Sequence, residues 1–138
     1  MSSKATRIEV PATTPSVATA LDELESHLER DQTGDELRLE LRMVAEEVLT
    51  NLVKYSGTER MELRLELQAE SVTLEFRDRG HAFNPLELER PDLDAPLDER
   101  PLGGLGIHLV RTLADEIDYH RHDDENILRF TKNRSSQP

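Results

Sequence analysis

The sequence contains no cysteine and no tryptophan. Without a thiol there are no disulfides, thiolate metal centres or cysteine nucleophiles. Aromatics amount to 4%, so a core must rest on leucine, valine and isoleucine. No apolar run approaches the roughly 20 residues that cross a bilayer as a helix. The first ten residues, MSSKATRIEV, lack the apolar stretch of a secretory signal. The cytoplasm is therefore the expected compartment, and no membrane is expected as a partner. Basic residues are also scarce: 17 Lys plus Arg stand against 29 Asp plus Glu, a formal net charge of −12. Such a surface repels phosphate backbones, so direct nucleic-acid binding is not expected. A nucleotide remains compatible, because a few oriented backbone N–H groups and a Mg²⁺ hold phosphates inside an acidic protein. At 138 residues, 36% of them hydrophobic, the chain suits one domain spanning 1–138.

Hydrophobic spacing supplies the elements. Thr6 to Val10 is a short β-like piece ended by Pro11. Thr14 to Ser16 offers a helix cap, with Pro15 suited to a first turn. Val17, Leu21, Leu24 and Leu28 then predict a helix over 15–30. Leu37, Leu41, Val44, Val48, Leu52 and Tyr55 form the stripe of a second helix that starts near Asp35 and ends at Gly57. Met61, Leu63, Leu65 and Leu67 alternate with polar residues, as do Val72, Leu74 and Phe76, which predicts a hairpin. A Pro-rich, acidic segment follows from about Arg79 to Leu102. Gly103-Gly104-Leu105-Gly106 opens a third helix, and Ile117 to His122 and Asn126 to Lys132 read as strands. The tail, 134–138, is expected to fray. The order β, α, α, β, β, loop, α, β, β predicts a two-layer α+β sandwich.

Three polar constellations interrupt this pattern. Glu47 and Asn51 lie four apart on the second helix, on nearly one line at the edge of the apolar stripe. Asp78-Arg79-Gly80-His81-Ala82-Phe83-Asn84-Pro85 follows directly on a strand. A carboxylate at a strand end can accept from an exocyclic amine, and Gly80 lets backbone come close to a flat ligand. Gly103, Gly104 and Gly106 precede a helix, where N–H groups and the dipole face an anion. This cluster is neither a Walker motif, lacking Gly-Lys-Ser/Thr, nor a Rossmann fingerprint, lacking a preceding strand. Each constellation alone also has an ordinary reading as a solvated helix edge, an acidic turn or a loop.

In combination they are specific. Glu47-x-x-x-Asn51, Asp78-x-Gly80-x-x-Phe83-x-Pro85 and Gly104-x-Gly106-Ile107, in this order, resemble the ATP-binding domain shared by gyrase, histidine kinases and MutL. Within that superfamily the short chain resembles the anti-sigma-factor serine/threonine kinases, or switch-protein kinases. The resemblance implies a two-layer sandwich whose mixed, largely antiparallel sheet is covered by helices on one face. It implies ATP and Mg²⁺ as ligands, with Asn51 holding the metal and Glu47 acting as general base on an attacking hydroxyl. Asp78 would accept from the adenine amine, Gly80 would admit the ring, and Gly104 and Gly106 would cradle phosphates. Phe83 and Ile107 belong to the matching boxes and enter the site on that ground. Thr131 resembles a strand-end hydroxyl that supports the adenine-binding Asp. Residues 86–102 would be a lid over the nucleotide.

The family often has His-Ala after the Asn box; here Lys54-Tyr55-Ser56 stands in that place, closer to the histidine-kinase style, and Lys54 is either a phosphate contact or a residue that only solvates the helix end. The lid carries Glu87, Glu89, Asp92, Asp94, Asp98 and Glu99, which disfavours acidic partners. His120 and His122 have metal-ligand spacing but no third ligand, and are read as surface residues, as is Glu46. Arg111 could reach a phosphate or a carboxylate. The resemblance implies a homodimer that binds a sigma factor or comparable regulator and phosphorylates a STAS-type antagonist. Two other readings are a non-catalytic ATP-binding regulator that sequesters a partner, and the catalytic piece of a histidine kinase. The last is disfavoured because no phosphoacceptor helix pair is seen ahead of the first strand.

Overall fold

The computed structural model describes residues 4–87 and 104–134. Along them run β1 (Lys4–Pro11), α1 (Thr14–Arg30), α2 (Asp35–Tyr55), β2 (Arg60–Leu67) and β3 (Ser71–Asp78). A 3-10 turn (Pro85–Glu87), α3 (Gly104–Leu113), β4 (Glu116–His122) and β5 (Glu125–Asn133) follow. The order is the one the spacing predicts. The strands form one sheet in the order β1-β2-β3-β5-β4, so β5 inserts between β3 and its own hairpin partner β4. Every pairing is antiparallel, in line with the largely antiparallel sheet that the resemblance implies. Most of the expected lid, and residues 135–138 of the tail, lie outside the described residues.

The chain ends its helices where local chemistry requires. The N-cap of α1 is Thr13, just before the Thr14–Ser16 cap read from the sequence, and Pro15 occupies the first turn. Ser56 caps the C-terminus of α2, and Gly57 follows with φ +70°, a left-handed turn that glycine adopts without a Cβ clash.

Strand parity sorts the sheet into two faces. Ile8 and Val10, Met61 to Leu67 at alternate positions, Val72, Leu74, Phe76, Leu128 and Phe130 face the helices and are buried. Leu24 and Leu28 of α1, Leu41, Val44, Val48 and Leu52 of α2, and Ile107 and Val110 of α3 complete this core. Of the expected site residues, Ile107 is thus a core residue, 2% exposed. At 3.6 residues per turn it lies on the inward stripe with Val110.

The opposite face carries charge. Arg77 pairs with Glu75 at 2.6 Å and Glu125 at 3.1 Å, Arg129 reaches Glu75 at 2.9 Å and Glu66 at 3.3 Å, and Arg7 and Arg64 both hold Glu62. Opposite charges on neighbouring strands support the pairing. Burial pushes the Glu75 carboxyl up, but hydrogen bonds and charge from Arg77, then Arg129, outweigh it and hold the group below its ordinary value. A lowered folded value means that this contribution is present above the ordinary glutamate range and is lost as pH falls through the folded value. Urea titrations of wild type and Glu75→Gln are therefore expected to differ at neutral pH and to converge on acidification. A difference independent of pH would show that Glu75 acts by packing.

Candidate functional site

Two of the sequence constellations dock directly on α2, which carries the third. The first contact is at the helix end. His81 donates its backbone N–H to the Ser56 carbonyl at 3.0 Å, bringing the segment after β3 onto the α2 C-terminus. A Cβ on Gly80 would stand 2.0 Å from that same carbonyl oxygen. The sequence suggested that Gly80 admits a flat ring; the close neighbour here is the Ser56 backbone. Gly80→Ala must push two backbone segments apart, so we expect a loss of about 1–3 kcal/mol in urea unfolding. A variant as stable as wild type would show that the loop yields freely.

The second contact is at mid-helix. A Cβ on Gly106 would meet Glu47 Oε1 at 2.0 Å, so the Glu47 carboxylate lies against the backbone of α3. Gly104 is the first residue of α3, and Gly103 falls outside the described residues. Asn51, one turn on, is 1% exposed. Its Nδ2 donates to the Glu47 backbone carbonyl at 2.8 Å and to Glu47 Oε2 at 2.7 Å. A carbonyl can only accept, so the amide nitrogen must face Glu47 and the oxygen must face away. That oxygen, Asn51 Oδ1, is buried with no hydrogen-bond partner, alone among the described side-chain atoms. An orphaned buried acceptor costs about 1–3 kcal/mol and calls for a reason. A hard cation that takes oxygen ligands supplies one, and an amide oxygen suits Mg²⁺.

Asp78 ends β3 with its side chain on the helix-facing side, 3% exposed. Its Oδ1 accepts from the Gly80 N–H at 2.9 Å and from Asn126 Nδ2 at 3.1 Å. Its Oδ2 takes no hydrogen bond from the described residues, which leaves one carboxylate oxygen able to accept from a ligand amine. Asn126 is the hub that sequence reading missed. Its Nδ2 also donates to the His81 carbonyl at 2.8 Å. Its Oδ1 accepts from Phe83 N at 3.2 Å, Arg121 Nη1 at 3.0 Å and the Tyr119 hydroxyl. Arg121 also reaches the Gly80 carbonyl at 3.1 Å.

Asn126 stands where the sequence placed Thr131. The register pairs Asp78 with Asn126, whereas Thr131 pairs with Thr73, and their hydroxyls meet at 3.0 Å on the charged face. Residues 126 and 131 differ by an odd number, so a pleated strand sends them to opposite faces, and Thr131 has no route to Asp78. The available signal was phase: Asn126 shares the parity of buried Leu128 and Phe130, as Asp78 shares that of Leu74 and Phe76.

The remaining candidates are peripheral. Phe83 is half-buried and packs its ring against Tyr55, 5.7 Å between centroids, closing the seam between the loop and α2. Lys54 is exposed in the last turn of α2. Arg111 donates to the Leu86 carbonyl and so ties α3 to the 3-10 turn. Glu46, His120 and His122 are exposed, and no metal-ligating cluster occurs among the described His, Asp and Glu. A concavity of about 690 Å³ lies between the charged sheet face and the 57–60 turn. Its Arg7, Arg64 and Arg77 are already paired with carboxylates.

A one-sided α+β sandwich with a buried asparagine one turn from a glutamate, and a buried aspartate at a strand end, defines a class. The chain belongs to the family of the histidine kinase-like ATPase domain, whose pattern it matches over residues 10–132. It is similar to the serine/threonine-protein kinase BtrW of Bordetella bronchiseptica, 31% identical over 141 aligned residues that cover 99% of each chain. It is also similar to the sensor protein kinase GraS of Staphylococcus aureus, 27% identical over 84 residues, 57% of this chain and 24% of GraS. In fold it matches the RsbU and RsbW domains of a Mycobacterium tuberculosis protein at a TM-score of 0.64 and 14% identity, over 97% of this chain and 34% of that one. The Acinetobacter baumannii histidine kinase AdeS matches at 0.54 and 17%, over 96% and 70%. No described helix is long and apolar enough to cross a membrane.

Proposed function

We propose that the protein is an ATP-dependent serine/threonine kinase that acts as an anti-sigma factor in a partner-switching module, with a STAS-type antagonist as its phosphoacceptor. The observation that carries this reading is the orphaned Oδ1 of Asn51, an amide whose Nδ2 is held by the Glu47 carboxylate: an oxygen able to take a metal and a carboxylate able to take a proton, one helical turn apart. The full-length similarity to a serine/threonine kinase supports the enzyme over a silent binder. Asn51 Oδ1 would hold Mg²⁺, which neutralises phosphate charge when bound. Asp78 Oδ2 would accept from the adenine amine, with Asn126 and the Gly80 N–H fixing the other oxygen. An incoming serine oxygen bonds to the γ-phosphorus, the bond to the β–γ bridging oxygen breaks, ADP departs, and Glu47 takes the hydroxyl proton. Phosphorylation of the antagonist would free the kinase to hold a sigma factor or comparable regulator.

Radiolabelled ATP incubated with the protein and a panel of recombinant STAS-domain proteins tests the reading. Acid-stable label on a serine of one member is expected. Acid-labile label on a histidine would place the protein with the histidine kinases. ATP binding and complex formation without transfer would make it a non-catalytic regulator.

A further inference from the structure

The site-facing surface of α2 continues past Glu47 toward the helix N-terminus. At about 100° per residue, Met43 lies about 40° and Leu39 about 80° from the direction of Glu47, while Glu36 and Glu40 lie within about 20° of it. Leu39 is 59% exposed and Met43 37%, two of the three exposed large apolar side chains among the described residues. Glu36 and Glu46 are exposed and Glu40 is half-exposed, and none of them makes an ion pair among the described residues. The basic residues of this stretch are engaged elsewhere. Arg38 pairs with Asp35 and Glu29, and Arg42 pairs with Glu25 of α1. The result is an apolar ridge that leads to Glu47, flanked by carboxylates without an ion pair among the described residues.

We infer that this strip of α2, Glu36 to Glu46, docks the phosphoacceptor protein, through apolar side chains on Leu39 and Met43 and basic side chains facing Glu36, Glu40 and Glu46. The inference rests on the kinase reading above. It follows from where the acceptor hydroxyl must go. General-base contact brings that hydroxyl within hydrogen-bond reach of the Glu47 carboxylate. The backbone of α3 at Gly106 walls one side of that carboxylate. The protein carrying the hydroxyl therefore has to cover ground that α3 leaves open, and Met43 and Leu39 lie about 6 and 12 Å along the helix axis from Glu47. An exposed apolar pair beside a site is the kind of surface that anchors a partner. The net charge of −12 and the free carboxylates select a basic surface around the acceptor serine. The specificity of the kinase then resides in α2 itself, in register with its base.

The test uses the full chain and the STAS-domain protein that accepts label in the panel. Two variants, Leu39→Ser with Met43→Ser, and Glu36→Lys with Glu40→Lys, change only surface positions. Each is expected to raise the KM for the STAS protein at least about tenfold, with kcat and ATP affinity near those of wild type. Reversing basic residues near the acceptor serine is expected to restore the second variant. An unchanged KM in both variants would overturn the docking inference while leaving the kinase reading intact. Altered ATP affinity with an unmoved KM would also overturn it, by assigning the strip to the nucleotide. A wild-type protein that binds ATP but labels no panel member would remove both.

Discussion

Asn51→Ala is expected to abolish Mg²⁺-dependent ATP binding with little change in stability. In the proposed site Asn51 Oδ1 holds the metal directly, so its removal should cost at least as much as the loss of a group that only supports a metal ligand, about 100-fold in metal-dependent affinity. The fold should tolerate the change because two effects oppose each other. The two Nδ2 hydrogen bonds to Glu47 are lost, at about 1 kcal/mol each, and the orphaned Oδ1 disappears, which relieves about 1–3 kcal/mol. The net should stay within about 1 kcal/mol. Calorimetric titration of ATP with and without Mg²⁺, beside urea unfolding of the ligand-free variant, reads both quantities. Asn51→Asp is the informative control. It sets a second carboxylate against Glu47 Oε2, so the ligand-free variant should lose stability at neutral pH and regain it as Mg²⁺ is added. A variant that Mg²⁺ fails to stabilise would remove the metal from the interpretation, and full ATP binding by Asn51→Ala would remove the site.

Glu47→Gln is expected to leave ATP binding nearly intact and to slow phosphoryl transfer by about 10²–10⁴-fold. The glutamine carbonyl can still accept from Asn51 Nδ2, so the amide keeps its orientation and Oδ1 its place. Only the capacity to take a proton is lost. Single-turnover transfer of labelled phosphate, with ATP affinity measured separately, distinguishes this from a positioning defect. Gly106→Ala approaches the same group from α3. The clash falls on the flexible end of Glu47, not on backbone. The variant should therefore fold normally and lose transfer because the carboxylate is displaced. Transfer within about threefold of wild type in Glu47→Gln would rule out general-base catalysis by this residue, since that contribution is typically 10² or more.

The element order was legible because each element has its own period. The 3.6-residue stripe from Leu37 to Tyr55 and the two-residue alternation from Met61 to Leu67 became α2 and β2, with boundaries shifted by one or two residues. The Glu47–Asn51 pair was legible for the same reason, as positions four apart on a helix must be neighbours. Contacts between distant segments left no comparable trace. Nothing local to Gly80 announces the Ser56 carbonyl beside it, and nothing local to Arg111 announces Leu86. Ile107 adjoins a glycine motif but follows its helix inward. Thr131 offers a hydroxyl, but its parity sends it to the other face, whereas Asn126 has the phase that faces Asp78.

Periodicity along the chain therefore accounts for the sandwich, its helix-covered face and the segments that hold polar residues at apolar phase. Which of those polar groups meet depends on sheet register and on how β3 and α3 seat against α2, since hydrogen bonds act over about 3 Å between residues tens of positions apart. That packing strands Asn51 Oδ1 without a donor, saturates one oxygen of Asp78 through Asn126, and presses Glu47 against Gly106. A one-dimensional pattern can say that a side chain turns inward; only three-dimensional packing selects its neighbour.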